Sequence, residues 1–179
     1  MVYLNFIFYC FVILFAVIGA MRGWAKEMMV TASAVLALFI ITVIETYVKG
    51  INQAFAEPGS TGQFWMRMAI LVILAFFGYQ TPNLPRIGGD RFARERLQDS
   101  LLGIFLGALN GYLIVGSIWY FLSQANYQAL SYIVPPDPST APGQAAIKLL
   151  AFMAPAWLGV PIIYFAVALS FIFVVVVFL

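Results

Sequence analysis

Long apolar runs alternate with short polar segments along the whole chain. Four of these runs occupy about 3–20, 28–48, 64–79 and 101–122, and a fifth covers 157–179. A helix rises 1.5 Å per residue, so about 20 apolar residues cross a bilayer core of about 30 Å. The pattern predicts an all-α, polytopic transmembrane bundle. We expect residues 1–156 to form a four-span membrane domain and residues 157–179 to add a C-terminal transmembrane helix.

Two shorter segments mix charged and apolar positions and predict helices that lie at the membrane surface. The first is "RFARERLQD" at 91–99, and the second is "AAIKLLAFMAPAW" at 145–157. Helices that carry charges on one side and apolar residues on the other are typical of the membrane interface. We therefore expect short interfacial amphipathic helices beside the spans.

Composition is typical of a membrane protein and argues against several kinds of binding site. Hydrophobic residues make up 64% and charged residues 9%, whereas about 25% of residues in soluble domains are charged. The chain has no histidine, the usual ligand for haem and many metals. We therefore expect no catalytic residue, metal or bound cofactor, with contact to lipid or a quinone left open. A net charge of +2 does not indicate a nucleic-acid partner.

Lysine and arginine are distributed unevenly between the two sides of the predicted bundle. Six of them lie in the 21–27 turn and the 80–100 loop, and the other three are Lys49, Arg67 and Lys148. Cytoplasmic loops carry the excess of positive charge. This predicts an N-terminus outside the cytoplasm and a C-terminus inside it.

Three glycines in the fourth run repeat at intervals of four residues, at Gly103, Gly107 and Gly111. Such positions share one helix face, and small residues there allow two helices to approach closely in a membrane. The first run supplies a candidate partner with Gly19 and Gly23. We expect a packing seam inside the chain, and the alternative is a seam with another polypeptide.

Few polar side chains fall inside the predicted spans. Asn110 lies beside the glycines and is expected to hydrogen-bond to another helix, with a place in a solute path as the alternative. Glu45 precedes Lys49 by four residues, which favours an ion pair on one helix, and ion or proton binding is the alternative. Arg67 lies near the start of its span and is expected to extend to the head groups. Arg22 and Lys26 project from the 21–27 turn, where they would anchor the chain to anionic lipid.

Two stretches together resemble the colicin V production (CvpA) family of small bacterial inner-membrane proteins. One is "AVIGAMRGWAKEMMVTASAVLAL", in which Arg22, Gly23, Lys26 and Glu27 match the family's N-terminal signature. The other is "DSLLGIFLGALNGYLIVGSIWYFL", in which Asp99, Leu102 and the three glycines match. The family commonly has arginine at the position of Asn110, and it tends to end before the run at 157–179. The resemblance implies a multi-pass protein of the bacterial cytoplasmic membrane, linked to toxin export or envelope functions.

These patterns favour a non-enzymatic membrane scaffold or accessory subunit. Such a protein would pack against other integral membrane proteins through its small-residue seams, within a larger bioenergetic or envelope complex. The alternative is a component of a transport or export channel, for which Glu45, Arg67 and Asn110 are the candidate polar groups.

Overall fold

The structure is a computed structural model that describes residues 3–48, 59–80 and 93–178. Within these residues the chain forms helices joined by turns, with no strand. The helices are α1 (Leu4–Arg22), α2 (Trp24–Tyr47), α3 (Thr61–Tyr79), α4 (Ala93–Gln124), α5 (Ala141–Leu150), α6 (Ala154–Trp157) and α7 (Ile162–Phe178). By length and composition, α1 to α4 can each cross a membrane. The protein is therefore a multi-pass, all-helical membrane protein.

Helix α2 is the centre of the bundle. It packs against α3, α4 and α7, whereas α1 packs almost entirely against α4. Residues with small or branched side chains, including Val30, Ala34 and Leu71, are almost completely buried between α2 and its neighbours. The core is therefore an apolar layer around α2, and α1 lies at the edge of the bundle.

The connection between α1 and α2 is a single residue, Gly23. Its φ of +83° is a left-handed conformation that glycine adopts without a steric penalty. The Gly23 amide donates to the carbonyl oxygen of Gly19 at 3.0 Å, which ends α1. The sequence predicted a polar turn over 22–27, and this is wrong because helix resumes at Trp24 and places Glu27 inside the bundle.

Helix α4 begins well before its apolar run. We expected a separate surface helix at 91–99, but the described part of this segment belongs to a continuous helix that starts at Ala93. Ser100 Oγ donates to the Ala20 carbonyl oxygen at 2.9 Å, and Asp99 binds the start of α2. These contacts hold the first turns of α4 in line with its span. Among the arginines of the 80–100 loop, Arg96 is exposed, and residues 81–92 lie outside the described part of the chain.

The segment from 125 to 157 covers the ends of α1 and α4 opposite Gly23. Tyr112 OH on α4 donates to the Phe152 carbonyl oxygen at 2.6 Å and accepts from Trp157 Nε1 at 2.9 Å. Trp119 Nε1 donates to Tyr127 OH at 3.3 Å. These bonds tie α6 and the segments on either side of α5 to α4.

Helix α7 is shorter than the expected C-terminal span. It begins at Ile162 rather than 157, and its 17 residues extend for about 26 Å. Trp157 belongs to α6. Tyr164 OH lies 2.9 Å from Tyr47 OH, so the start of α7 is beside the end of α2 and the two helices run in opposite directions.

Candidate functional site

The glycines of α4 lie directly against α1. A Cβ atom added to Gly107 would be 3.0 Å from Gly19 Cα, and one added to Gly111 would be 3.0 Å from Val12 Cα. A Cβ on Gly103 would collide with the carbonyl oxygen of Gly19. Close backbone approach therefore joins α1 to α4, and this seam is occupied within the chain.

Glu27 is the centre of a polar network at the Gly23 end of the bundle. Its side chain is 0% exposed. Arg22 Nη1 donates to Oε1 at 2.6 Å, and Asn110 Nδ2 donates to Oε2 at 2.8 Å. A carboxylate taken out of water needs such partners on both oxygens, so Glu27 is fully engaged by helices α1 and α4.

Asn110 joins the same network through its other atoms. Its Oδ1 accepts from Thr31 Oγ1 at 2.7 Å, and its Nδ2 lies 3.0 Å from the Glu27 carbonyl oxygen. Asn110 and Thr31 are both buried. The amide bridges α4 to α2, as expected for a buried amide inside a membrane protein.

Arg22 extends the network to α3. Its Nη2 donates to the Tyr79 carbonyl oxygen at 3.1 Å, and its guanidinium carbon lies 4.4 Å from the centre of the Tyr79 ring. We call Arg22, Glu27, Thr31, Tyr79 and Asn110 the inner cluster. Because its members come from α1, α2, α3 and α4, it connects all four long helices.

A second cluster lies at the opposite end of α2. Arg67 donates to Glu45 through Nε at 2.6 Å and Nη2 at 3.1 Å, and Gln63 Nε2 donates to Glu45 Oε1 at 3.0 Å. The side chains of Arg67 and Glu45 are 14% and 23% exposed. We call Glu45, Gln63 and Arg67 the outer cluster. It joins α2 to α3, and the expected partner Lys49 lies outside the described residues.

Two cavities lie along α2. The outer cavity, of about 170 Å³, adjoins Glu45 and Arg67 and is also lined by Tyr120, Gln124 and Gly159. The apolar groove, of about 300 Å³, lies between α2, α4 and α7. It is lined by Val35, Leu109, Leu113, Phe165, Ala166 and Leu169, and Thr31 of the inner cluster also borders it.

An apolar layer separates the two clusters. Val30, Ala34, Leu38, Leu71 and Ala75 occupy the space between α2 and its neighbours, and each is 6% exposed or less. Within the described residues, no group of three or more potential metal ligands comes together. The arrangement can hold helices together and can present polar groups to the outer cavity.

The structure brings together most of the residues that the sequence singled out. Asp99 Oδ1 accepts from the Trp24 amide at 3.2 Å and lies against Gly23. Arg22 points to Glu27 and Tyr79, so it has a protein partner where we expected anionic lipid. Lys26 is half-buried near this turn and forms no ion pair with another described residue.

Arg67 also differs from its expected placement. We predicted that it extends to the head groups, but its side chain binds Glu45 because α2 places a carboxylate opposite it. Sequence reasoning missed Thr31, Gln63 and Tyr79. Thr31 follows Glu27 by four residues, and that helical spacing was the one available signal.

Comparisons of the chain with protein-family models, with curated proteins and with solved structures find no match.

Proposed function

We propose that the protein is a non-enzymatic accessory subunit of a membrane complex, a rigid helical body that packs against other integral membrane proteins. The observation that carries this proposal is the internal pairing of the buried charges. Both carboxylates of α2, Glu27 and Glu45, are bound by arginines of the same chain. Charges held in this way stabilise helix packing and are not free to move an ion or a proton.

The interface for a partner would lie on the outer face of α1. The glycines Gly19, Gly103 and Gly107 are covered by the α1–α4 contact and are closed to another protein. The opposite face of α1 carries Phe6, Ile13, Val17 and Met21, each more than half exposed. Because α1 has few contacts other than those to α4, a neighbouring membrane protein would complete its packing.

A matched pair of isoleucines tests this interface. Ile13 on α1 and Ile73 on α3 are 63% and 54% exposed, so Ile13→Trp and Ile73→Trp make the same change on two outer faces. The protein is expressed at its native level and extracted in mild detergent. The size of the extracted particle and the masses of its subunits are then measured. We expect a complex of fixed stoichiometry that is lost in Ile13→Trp and retained in Ile73→Trp. A wild-type chain that runs alone as a monomer contradicts the proposal.

We further propose that the protein resides in a bacterial cytoplasmic membrane and that α7 is a fifth span. The antiparallel packing of α7 on α2 supports the span, and the resemblance to the CvpA family supports the location. In this topology the loop that contains Ser139 is outside the cytoplasm. In a Cys10→Ser background, Ser139→Cys should react with an impermeant maleimide in intact cells. Reaction only after permeabilisation contradicts the topology.

A component of a transport or export channel is the second candidate. The observation in its favour is the outer cavity, because Glu45 and Arg67 border it. The apolar layer around Leu38 and Leu71 argues against a continuous polar path through a single chain. Solute flux is measured in two sets of liposomes, one that contains the wild type and one that contains Asn110→Leu. The comparison separates the two candidate functions. We expect no flux in either, and wild-type flux that Asn110→Leu abolishes would favour the channel.

A further inference from the structure

The outer cavity and the apolar groove follow one face of α2. Thr31 and Val35 border the groove, and Leu38, Thr42 and Glu45 border the cavity. Their spacing of four, three, four and three residues is that of a single helix face. The two spaces therefore lie one after the other along one face of α2.

The other walls of the two spaces are also shared. Helix α4 supplies Leu109 and Leu113 to the groove and Tyr120 and Gln124 to the cavity. Leu158, just after α6, lines both. We call the outer cavity and the apolar groove together the furrow.

The furrow has the length and the polarity of one lipid leaflet. Thr31 and Glu45 are 14 residues apart on α2, which is about 21 Å. One leaflet with its head groups is half of about 40–45 Å. The outer end carries a charged pair and the walls of the inner part are apolar. Apolar walls of this kind favour hydrocarbon, since water there lacks hydrogen-bond partners.

Arg67 keeps hydrogen-bond capacity at the outer end. A guanidinium has five N–H groups, and two of those of Arg67 donate to Glu45. Among the described residues, Arg67 donates to no other acceptor. The Arg67 guanidinium carbon lies 5.3 Å from the centre of the Phe121 ring, and both residues line the cavity. An oxygen-rich group in the cavity could accept hydrogen bonds from the remaining donors.

We propose that the furrow binds one glycerophospholipid, with its phosphate at Arg67 and one acyl chain along the α2 face from Leu38 to Thr31. Arginine donors match the oxygens of a phosphate diester, and the groove matches the chain. An isoprenoid lipid would fill the apolar part but would bring no phosphate diester to Arg67. This inference does not depend on the proposed function, because a lipid can occupy the furrow with or without a protein partner.

Two alanines on α7 provide a matched test of the tail site. Ala166 is half-buried and lines the groove, whereas Ala168 is exposed and lies outside its lining. Delipidated protein is titrated with dioleoyl phosphatidylethanolamine and analysed by native mass spectrometry. We expect one bound lipid per chain and an apparent affinity about tenfold weaker in Ala166→Trp, because excluding two methylene groups already has that effect. Ala168→Trp should bind like the wild type.

Gly159 provides a test of the head-group end. A Cβ atom there would meet no atom within 4 Å, so Gly159→Phe adds a ring beside the cavity from a backbone position that has room for a side chain. It should weaken phosphatidylethanolamine binding in the same way as Ala166→Trp. Dioleoylglycerol, which has the same chains without phosphate, should bind at least about tenfold more weakly than the phospholipid to the wild type.

Each contrary result overturns the inference. Unfolding temperatures equal to that of the wild type show that the variants are folded. Variants that are folded by this measure must still bind the lipid more weakly than the wild type. Equal binding by wild type, Ala166→Trp and Gly159→Phe excludes the furrow as the site. Equal affinity for dioleoylglycerol, or an isoprenoid as the lipid that co-purifies, excludes the phosphate contact.

Discussion

The inner and outer clusters contain the same chemistry, an arginine bound to a glutamate of α2, in two different settings. Glu27 is 0% exposed and is bound by residues of two other helices, whereas Glu45 is 23% exposed and adjoins a cavity. A buried charge that loses its partner is strongly destabilising, but a pair near the surface contributes little. The comparison indicates that the inner cluster holds the bundle together, and that the outer cluster has capacity left for a ligand.

The largest expected effect comes from removing one carboxylate at each end. Glu27→Gln leaves Arg22 without its anion, and we expect the free energy of unfolding to fall by about 3–5 kcal/mol. Glu45→Gln makes the same change in a more exposed pair, and the expected loss is about 1 kcal/mol. Unfolding of both variants by sodium dodecyl sulfate, from mild detergent and followed by circular dichroism, measures the difference. Equal losses would show that the two settings are equivalent.

Glycine substitutions should show a similar difference between the two ends. Gly107→Ala places a methyl group against the carbonyl oxygen of Phe15, where it would collide, and 3.0 Å from Gly19 Cα. Overpacking of this kind costs about 1–3 kcal/mol. Gly159→Ala meets nothing within 4 Å and should change stability by less than about 0.5 kcal/mol. The same unfolding assay applies. If Gly107→Ala is harmless, the close approach of α1 and α4 is not needed for stability.

The helix caps give a smaller contrast. Asp99 caps α2 at the inner end by accepting from the Trp24 amide, and Ser60 caps α3 at the outer end by accepting from the Gln63 amide. Loss of a cap costs about 0.5–2 kcal/mol, and a charged acceptor is stronger than a hydroxyl. We therefore expect Asp99→Ala to destabilise more than Ser60→Ala. The reverse order would show that the charge of Asp99 adds nothing.

The smallest effect concerns the loop after α4. The amide and hydroxyl of Ser139 both donate to Asp137, and these hydrogen bonds hold the pKa of Asp137 below its ordinary value of 3.8. A lowered pKa in the folded state means that these hydrogen bonds contribute to the stability of the folded state above pH 3.8. The contribution is lost as pH falls through the folded pKa. Nuclear magnetic resonance titration of the Asp137 carboxyl should give a midpoint that rises in Ser139→Ala. An unchanged midpoint would show that the bond from the Ser139 hydroxyl does not form.

Particular residues show how far sequence reasoning reaches in this protein. The four long helices follow from hydropathy, because crossing a bilayer requires a continuous apolar run. The start of α4 at Ala93 did not follow, because charged residues before Asp99 predicted a separate surface helix. Contacts of Asp99 and Ser100 with the α1–α2 junction extend the helix, and such distant contacts do not appear in local composition.

The candidate sites were predictable as residues but not as clusters. Asn110, Glu45 and Arg67 stand out because polar groups are rare in apolar runs, and Glu27 stands out as part of the N-terminal signature. Asn110 and Glu27 are 83 residues apart, and Arg67 and Glu45 are 22 apart. Which of them meet depends on the rotation of each helix about its axis and on its neighbours.

The sequence alone determined the membrane class, the all-α architecture and the positions of small and polar residues, since each follows from local hydropathy and spacing. The tertiary structure alone decided that α1 covers the glycines of α4, that Glu27 is sealed among four helices, and that α7 leaves a furrow beside α2. The physical reason is that the transfer of a helix into lipid depends on its own residues, whereas an ion pair or a cavity depends on how separate helices pack.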